Sequence, residues 1–242
     1  MPLRPEPQEN RLLAVLPSDV QSRIFQNLEL VPMLLGTMLY ESGEALRYVY
    51  FPTNSIVSLL KVLEVGGTAE ISVVGNDGFV GISLFMGGGS PLNQAIVQSA
   101  GFAYRLPAEW LKDELGRNGE LMTLLLHYMQ ALITQMAQTA ICNRHHTVDQ
   151  QLCRWLLLSL DRLPTNELIM TQSLIANMLG VRREGVTEAA GKLQQLGVIE
   201  YSRGKISVVD LPKLRLLSCE CYAVVKRETE RLLPYLNQDQ VT

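Results

Sequence analysis

The strongest constraint on the fold is the stretch from Thr171 to Gly197, which has the pattern of two helices joined by a tight turn. The first helix is predicted from Gln172 to Met178, and the turn centres on Gly180, which can adopt the positive φ of a sharp reversal. The second helix carries five apolar residues at helical spacing on one face. They are Val186, Ala189, Ala190, Leu193 and Leu196.

Positive charge stands at the start of the second helix, where a helix dipole disfavours it. Arg182 occupies the position at which a Ser, Thr or Asp cap is expected, and Arg183 follows in the first turn. Phosphates and guanine edges would supply the missing negative potential. The spacing and charge together favour a DNA-binding helix-turn-helix, whose second helix enters the major groove, over a plain helical hairpin in a larger core.

Composition limits the class of protein. The chain has 242 residues, of which 47% are hydrophobic and 19% charged, and this allows one large domain or two ordinary ones. A net charge of −3 argues against a uniformly basic nucleic-acid binder, so contact with DNA requires a local patch. Residues 149–242 hold 12 Lys and Arg against 11 Asp and Glu, net +1, which leaves −4 for residues 1–148.

The cysteines and the N-terminal residues indicate a cytoplasmic protein. The four cysteines are too few and too scattered for a disulfide scaffold, so we expect reduced thiols. The start has no apolar run of the signal-peptide type, and no stretch is long and apolar enough to span a membrane. Residues up to about Glu9 are predicted to form a loose arm, followed by a helix around Leu12 and another through Leu28.

Between Leu30 and Leu106 short apolar segments alternate with Gly, Pro, Asn and Asp, which predicts a compact β-sandwich or barrel. Seven strands are predicted, at Thr37–Tyr40, Tyr48–Phe51, Ile56–Val62, Ala69–Val74, Phe79–Phe85, Ala95–Ser99 and Ala103–Leu106.

A long helix with few charges is predicted from about Gly119 to Asn143, after a short helix that starts at Pro107. One row of residues repeats at alternating spacings of three and four, as in a coiled-coil seam. This row is Met122, Leu125, Met129, Leu132, Met136 and Thr139. A second apolar row, Leu121, Leu124, Tyr128 and Ala131, could face the strands. A helix that is apolar on two sides must be covered twice, so we infer a homodimer; burial within one chain is the alternative.

The remaining segments complete a winged domain. A helix is predicted from Thr147 to Leu163, and the helix-turn-helix is followed by strand, turn and strand from Val198 to Val209. This hairpin would place Arg203 and Lys205 at the tip of a wing, where phosphates pass. A final helix is predicted from Pro212 to about Leu236.

The order of these parts resembles the Crp/Fnr family of bacterial transcription regulators. In the N-terminal half the resemblance rests on Gly36–Gly43, on Tyr50–Thr53 with Val57–Leu60, and on Gly78–Gly81. It implies an α+β fold with a β-roll sensor resembling cyclic-nucleotide-binding domains at 1–118, a dimerisation helix and hinge at 119–146, and a winged helix-turn-helix at 147–242. It also implies a homodimer on a pseudo-palindromic duplex, RNA polymerase as a partner, and no membrane.

The resemblance assigns roles to the helix-turn-helix residues. The base-reading Arg and Glu of the family fall on Arg183 and Glu184, and their chemistry suits guanine and cytosine respectively. Glu188 stands where cyclic-AMP-responsive members have a second Arg, so their DNA site cannot be assumed here. The other residues expected to contact DNA are Arg182, Gln172, Ser173, Thr187, Lys192, Arg203 and Lys205, of which Thr187, Lys192, Gln172 and Ser173 are expected on phosphates.

The sensor departs from the members that bind cyclic nucleotides. Those members have a Gly-Glu pair followed by Arg-Ser or Arg-Thr, whereas here Gly81 precedes Ile82-Ser83-Leu84-Phe85, and the segment 89–95 contains no Arg. A buried cyclic phosphate would therefore lack its charge-assisted partner, and we expect no cyclic AMP pocket of the usual kind. Residues 87–90 could cradle an anion with backbone amides, although a simple hairpin loop is favoured.

Metal sites are not expected either. Iron–sulfur members of the family place cysteines near the N-terminus, and this chain has none before Cys142, so no iron–sulfur cluster is expected. A metal at Cys219 and Cys221 with Cys153 is disfavoured, because alternate residues of a helix point apart. His127 and the pair at 145–146 are expected to be packed or solvated side chains rather than ligands.

The sequence thus favours a homodimeric, sequence-specific DNA-binding regulator that does not respond to cyclic AMP. The alternative is an effector-binding regulatory subunit whose C-terminal half docks a protein. No catalytic constellation is found, so an enzyme is not expected. The effector, the DNA sequence and the direction of regulation stay open.

Overall fold

The computed structural model describes residues 4–64, 66–117 and 119–234 of the chain. The helices are α1 (Arg11–Ala14), α2 (Ser18–Phe25), α3 (Ile82–Phe85), α4 (Ala108–Leu115), α5 (Glu120–His145), α6 (Val148–Leu160), α7 (Gln172–Leu179), α8 (Arg183–Gln195), α9 (Leu211–Leu217) and α10 (Glu220–Leu232). The strands are β1 (Glu29–Met33), β2 (Met38–Tyr40), β3 (Tyr48–Pro52), β4 (Ile56–Val62), β5 (Thr68–Val74), β6 (Gln94–Ser99), β7 (Gly101–Pro107), β8 (Glu167–Ile169), β9 (Ile199–Ser202) and β10 (Lys205–Val208). None of the described helices is long and apolar enough to cross a bilayer.

The N-terminal half is a β-roll of two antiparallel sheets. One sheet has the order β1-β7-β3 and the other β2-β6-β4-β5. Large buried side chains such as Phe51, Phe79 and Leu106 pack in its core, to which α1, α2 and α5 also contribute. The structure therefore has the fold class that the alternation of apolar and polar residues predicted, an α+β chain with a β-roll.

Two elements of the roll differ from the prediction. The strand expected at Phe79–Phe85 is wrong beyond Val80, because Gly81 turns the chain with φ 117° and starts the short helix α3. Strand β1 was missed because it contains Pro32, which argues against a strand. It lies at a sheet edge, where it pairs with β7 alone among the described strands, and there the missing N–H of proline is tolerated.

The N-terminal arm is also held more firmly than expected, since the Tyr104 hydroxyl donates to the Pro5 carbonyl at 2.8 Å.

Helix α5 lies between β5 and α10 and is fixed by a glycine and a glutamine. A Cβ atom on Gly78 would overlap the ring of Tyr128, so only glycine permits this close approach. The Gln135 side chain accepts from Val73 N at 2.8 Å and donates to Val73 O at 3.2 Å. It therefore pairs with the backbone of β5 as a neighbouring strand would.

The orientation of α5 places half of the predicted dimer seam against its own chain. Leu125, Leu132 and Thr139 are buried within this chain, and Thr139 donates to the Gln135 carbonyl at 2.9 Å. The roll and α10 cover this side of α5. The sequence could not show that these elements pack there. The other predicted seam residues, Met122, Met129 and Met136, are half-buried. The large apolar side chains that α5 does expose are Leu126, Ile133 and Ile141.

A second core holds the C-terminal half together and continues into the roll. Trp155 on α6 and Val186 on α8 are among its fully buried residues, and Ile56, Leu60 and Val73 of the roll belong to the same cluster. Polar contacts cross the same boundary. Arg162 Nη2 lies 2.7 Å from Asp77 Oδ2. The two halves therefore share a packed interface in this conformation.

The single C-terminal helix predicted from Pro212 is wrong. Ser218 and Cys219 have extended ψ values of 160° and 165°, so the chain forms α9 and α10 with a break between them. Nothing in the local pattern marks this break, since both segments have good helix formers. The predicted end near Leu236 lies outside the described residues.

Candidate nucleic-acid interface

Helices α7 and α8 meet at a capped, left-handed turn. The Thr171 hydroxyl accepts from Leu174 N at 3.3 Å and caps α7, and Gly180 ends it with φ 65°. The Val181 amide then donates to the Ala176 carbonyl at 3.0 Å, which closes the reversal. The Thr187 hydroxyl on α8 donates to Gln172 Oε1 at 2.7 Å and fixes the two helices side by side.

The buried and exposed faces of α8 divide as the sequence predicted, with one exception. Val186, Ala189, Ala190 and Leu193 are buried, whereas Leu196, expected on the same face, is exposed where the helix ends. Most of the residues expected to contact DNA are exposed, Gln172 alone being half-buried. The exposed ones are Arg182, Arg183, Glu184, Thr187, Glu188, Lys192, Ser173, Arg203 and Lys205.

Helix α8 begins without a side-chain cap. Arg182 is the N-cap residue, with extended ψ of 145°, and its side chain accepts no backbone hydrogen bond. The free N–H groups and the positive end of the helix dipole therefore face solvent together with Arg183. A helix start of this kind is suited to an anion such as a phosphate.

The wing is a two-residue hairpin between β9 and β10. Arg203 and Gly204 at its tip have φ of 51° and 80°, the signs that a type I′ turn requires at both central positions. Arg203 is the only residue other than glycine with positive φ among those described. An arginine at a position that suits Gly or Asn indicates that its side chain has a role there.

A third strand supports the wing and was missed from the sequence. Strand β8 pairs with β10, giving a sheet of order β8-β10-β9. The Met170 amide after β8 donates to the Gly204 carbonyl at 2.6 Å, and the Tyr201 hydroxyl donates to the Met170 carbonyl at 3.0 Å. Three residues are too few for a period-2 pattern to be visible in the sequence.

A shallow cleft of about 280 Å³ lies between α7, the start of α8 and the wing. Its lining consists of Thr171, Gln172, Ser173, Arg183, Tyr201, Arg203 and Gly204. Two cations, several hydroxyls and no carboxylate line this cleft, which is the chemistry of a phosphate site.

The basic side chains differ in their pairing. Lys192 Nζ lies 3.2 Å from both Asp149 Oδ2 and Glu188 Oε1, and Lys205 Nζ lies 2.6 Å from Glu167 Oε1. Within the described ranges no ion pair involves Arg182, Arg183 or Arg203. The three arginines are thus ready for an anionic partner, whereas the two lysines must first leave exposed carboxylates.

Comparison with known proteins agrees with this geometry. A family model described as the Crp-like helix-turn-helix domain matches residues 150–217, which include α7, α8 and the wing. A search among curated proteins found no match.

Solved structures with the same fold cover most of the chain. A putative transcriptional regulator of the Crp/Fnr family from Eubacterium rectale is 19% identical, with a TM-score of 0.67, over 87% of this chain and 98% of its own. A transcriptional regulator of the CRP/FNR family from Thermus thermophilus is 25% identical, with a TM-score of 0.58, over 78% and 98%. FixK2 from Bradyrhizobium japonicum is 16% identical, with a TM-score of 0.66, over 79% and 98%.

Residues 150–217 thus match the Crp-like helix-turn-helix domain, and most of the chain shares the fold of solved Crp/Fnr regulators. The fold and the resemblance predicted from the sequence are thereby confirmed, and two of the matching structures are described as transcriptional regulators.

In the N-terminal half, Gly81 is followed by Ile82, the first residue of α3. The carboxylate that the resemblance to cyclic-nucleotide-binding members would place after this glycine is therefore absent. Arg105 is one of the two arginines nearest to this segment in sequence, and it already pairs with Glu29 at 2.7 Å. Its guanidinium carbon lies 4.5 Å from the centre of the Tyr48 ring.

Two expectations about the cysteines and histidines are corrected. Cys219 and Cys221 do not point apart, because Cys219 is the extended N-cap of α10 rather than a helical residue. They meet Cys142, in the last turn of α5, and His146, the C-cap residue of that helix, whereas Cys153 lies elsewhere in the core. His146 is therefore part of a cluster and not a solvated linker residue. No local sequence signal could show this, since the pairs are separated by about 75 residues.

Proposed function

We propose that this chain is a cytoplasmic, homodimeric, sequence-specific DNA-binding regulator whose two α8 helices read half-sites of a pseudo-palindromic duplex. The observation that carries the proposal is the uncapped start of α8, where the exposed Arg183 and a free helix dipole stand beside the cleft that Arg203 completes. The family model over 150–217 supports it. RNA polymerase as a partner and the division at 118 and 146 remain part of the same proposal.

The roles of individual residues follow from their positions. Arg183 and Glu184 in the first turn of α8 are proposed to read guanine and cytosine edges. Thr187, Ser173, Gln172 and Lys192 are proposed to hold phosphates, with Arg182, Arg203 and Lys205 beside them. Lys192 would exchange Asp149 for a phosphate, which costs little because both side chains are about half exposed.

Replacing Arg183 with alanine tests base reading. A good bidentate pair discriminates against the wrong base by about 1–3 kcal/mol, so the variant should lose that preference at one base pair per half-site. The measurement selects bound sequences from a random duplex library and then titrates the selected site with each base changed in turn. Gln195→Ala, exposed at the far end of the same helix, is the matched control and should keep the preference. Unchanged discrimination in the Arg183 variant would remove this assignment.

The competing function, docking of a protein by the C-terminal half, differs in its response to salt. Binding through phosphates weakens steeply as salt rises, by a slope of about 0.9 per phosphate contacted on a log–log plot. Retention on duplex DNA that does not depend on salt, or no retention at all, would favour the docking module.

We further propose that cyclic AMP is not the effector, because α3 offers neither the carboxylate nor the cation of the usual pocket. Thermal unfolding of the full chain with and without cyclic AMP should give the same midpoint. A concentration-dependent rise would contradict the proposal.

A further inference from the structure

Three cysteines and one histidine from two distant parts of the sequence converge where α5 ends. Cys142 lies in the last turn of α5, and His146 is the C-cap residue of this helix, whose N–H donates to the Cys142 carbonyl at 3.0 Å. Cys219 and Cys221 stand at the start of α10. The four potential ligand atoms all lie within 4.8 Å of one another.

The spacing of these atoms suits a single small ion. Cys142 Sγ lies 3.5 Å from Cys219 Sγ, and Cys221 Sγ lies 3.5 Å from His146 Nδ1. Tetrahedral zinc, with bonds of about 2.0–2.3 Å, places its ligand atoms about 3.4–3.8 Å apart. The cluster therefore needs little adjustment to accept one ion. Sulfide-bridged iron clusters hold their thiolates farther apart.

The surroundings have the features of a metal site. Cys142, Cys219 and Cys221 are buried, with 0%, 5% and 1% of their surface exposed. The second ring nitrogen of His146, Nε2, lies 3.3 Å from Glu220 Oε2, and such a carboxylate commonly orients a ligating histidine. The Gln151 side chain donates to the His146 carbonyl at 3.0 Å and holds the end of the helix.

Charge is also balanced at this position. Three thiolates, a neutral imidazole and a divalent ion carry a net charge of −1. The buried Arg154 guanidinium donates to Thr139 Oγ1 at 3.1 Å, three residues before Cys142 on α5. Its Nε has no hydrogen-bond partner among the described residues. A buried anion nearby would compensate this cation.

We propose that Cys142, His146, Cys219 and Cys221 bind one zinc ion per chain. Soft thiolates with one imidazole in a tetrahedral arrangement select zinc over hard cations. With four protein ligands and no open position, the site is structural. It fastens the start of α10 to the end of α5, just before Thr147, the N-cap residue of α6, and so fixes the junction from which the winged helix-turn-helix extends.

Metal analysis of the purified full chain tests the proposal directly. We expect about one zinc ion per chain by plasma mass spectrometry after gel filtration in reducing buffer. Cys219→Ser and Cys221→Ser should lose the metal, whereas Cys153→Ser, which removes the buried cysteine outside the cluster, should keep it. His146→Ala and His145→Ala form a second matched pair. Equal zinc contents within either pair would overturn the proposal.

A spectroscopic test needs no variant and so does not depend on their folding. Chelator-treated wild type titrated with Co²⁺ should develop the visible bands of tetrahedral cobalt and a thiolate charge-transfer band, saturating at about one equivalent. Zinc should then displace cobalt and protect Cys142, Cys219 and Cys221 from alkylation. Absence of these bands, or a Cys142–Cys219 disulfide in protein purified without oxygen, would overturn the proposal.

Glu220 offers a finer test of geometry. Removal of a carboxylate that orients a ligating histidine lowers metal affinity about 10- to 100-fold, and Glu220→Ala should fall at the lower end because Glu220 is exposed. Glu230→Ala, on the same helix but away from the cluster, should bind zinc as wild type does. Equal affinity for the two would contradict the role of Glu220. All of these readouts are independent of DNA binding.

Discussion

At the scale of single residues, two of the side chains that we propose to contact DNA stand in positions that are unfavourable without a partner. Arg182 gives α8 no cap, and Arg203 is held at φ 51°. Each costs some stability in the free protein, since a cap contributes about 1 kcal/mol and a left-handed residue with a Cβ costs about as much. The sequence predicted the first of these, because the missing cap is visible in the order of residues.

Arg203→Asn should separate stability from binding. Asparagine tolerates the left-handed region, so the free energy of unfolding should rise by up to about 1 kcal/mol. The affinity for duplex DNA should fall for all sequences alike, and the log–log salt slope should decrease by about 0.9 as one phosphate contact is lost. Urea unfolding and fluorescence anisotropy at several salt concentrations measure the two effects.

Arg203→Lys is the control for this experiment, because it keeps the charge and gains no backbone relief. Its salt slope should match that of the wild type. If the Asn variant also kept the slope, Arg203 would not contact phosphate.

At the scale of elements, α5 shows what helical periodicity in a sequence can predict and what it cannot. The two apolar rows of α5 led us to expect a cover on each side, but part of the row assigned to a partner, including Leu125 and Leu132, is buried in its own chain. Sequence periodicity gives the angle between rows and not the direction in which the helix faces. That direction was set by contacts with β5 and α10, which lie far away in sequence.

The exposed row on α5 is therefore the surface that we expect in the dimer. Leu126, Ile133 and Ala137 lie within about 40° of one another around the helix, and Ile133 is 56% exposed in the single chain. Ile133→Glu should convert the dimer to a monomer in sedimentation equilibrium, since a carboxylate would be buried against its symmetry mate.

Two controls accompany the Ile133 variant. His127→Glu, exposed about 100° away from Leu126 around the helix, should leave the mass unchanged. Leu132→Ala should lower the free energy of unfolding by about 2–5 kcal/mol. Its main effect should be on the stability of the single chain and not on the dimer. A dimer that survives Ile133→Glu would show that another surface joins the chains.

At the scale of the whole molecule, the roll and the C-terminal half share a buried polar chain. Glu70 Oε2 lies 2.6 Å from Ser58 Oγ, which lies 2.7 Å from Gln98 Oε1, and Gln98 Nε2 donates to Ser159 Oγ at 3.2 Å. A serine has one proton, so it can satisfy both neighbours only if Glu70 donates to it. Burial raises the pKa of Glu70 to about 7, although Ser58, Arg154 and Arg162 oppose the rise.

Stability should therefore depend on pH through Glu70. Its pKa in the folded state exceeds its ordinary value of 4.5, so the folded state binds more protons between these values and stability falls as pH rises toward 7. Glu70→Gln keeps a hydrogen-bond donor at this position and removes the loss of stability that accompanies rising pH. The variant should gain, relative to wild type, about 3 kcal/mol in unfolding free energy between about pH 4.5 and about pH 8.

Urea unfolding across that pH range checks this prediction, with Glu109→Gln, exposed on α4, as the control that should show a flat difference. A flat difference for Glu70→Gln as well would mean that Glu70 is ionised in the folded protein.

Local patterns by themselves determined the β-roll class, the long helix, the helix-turn-helix and the wing, because helix and strand periods, glycine turns and caps act over a few residues. The faces of α5, the edge strand β1, the break at Cys219 and the meeting of Cys142 and His146 with α10 were decided only by the tertiary structure. Their energies come from groups separated by tens of residues, whose encounter depends on how whole elements pack. For this reason the residues proposed to contact DNA were chosen from the sequence, while the proposed zinc site became visible only in the folded chain.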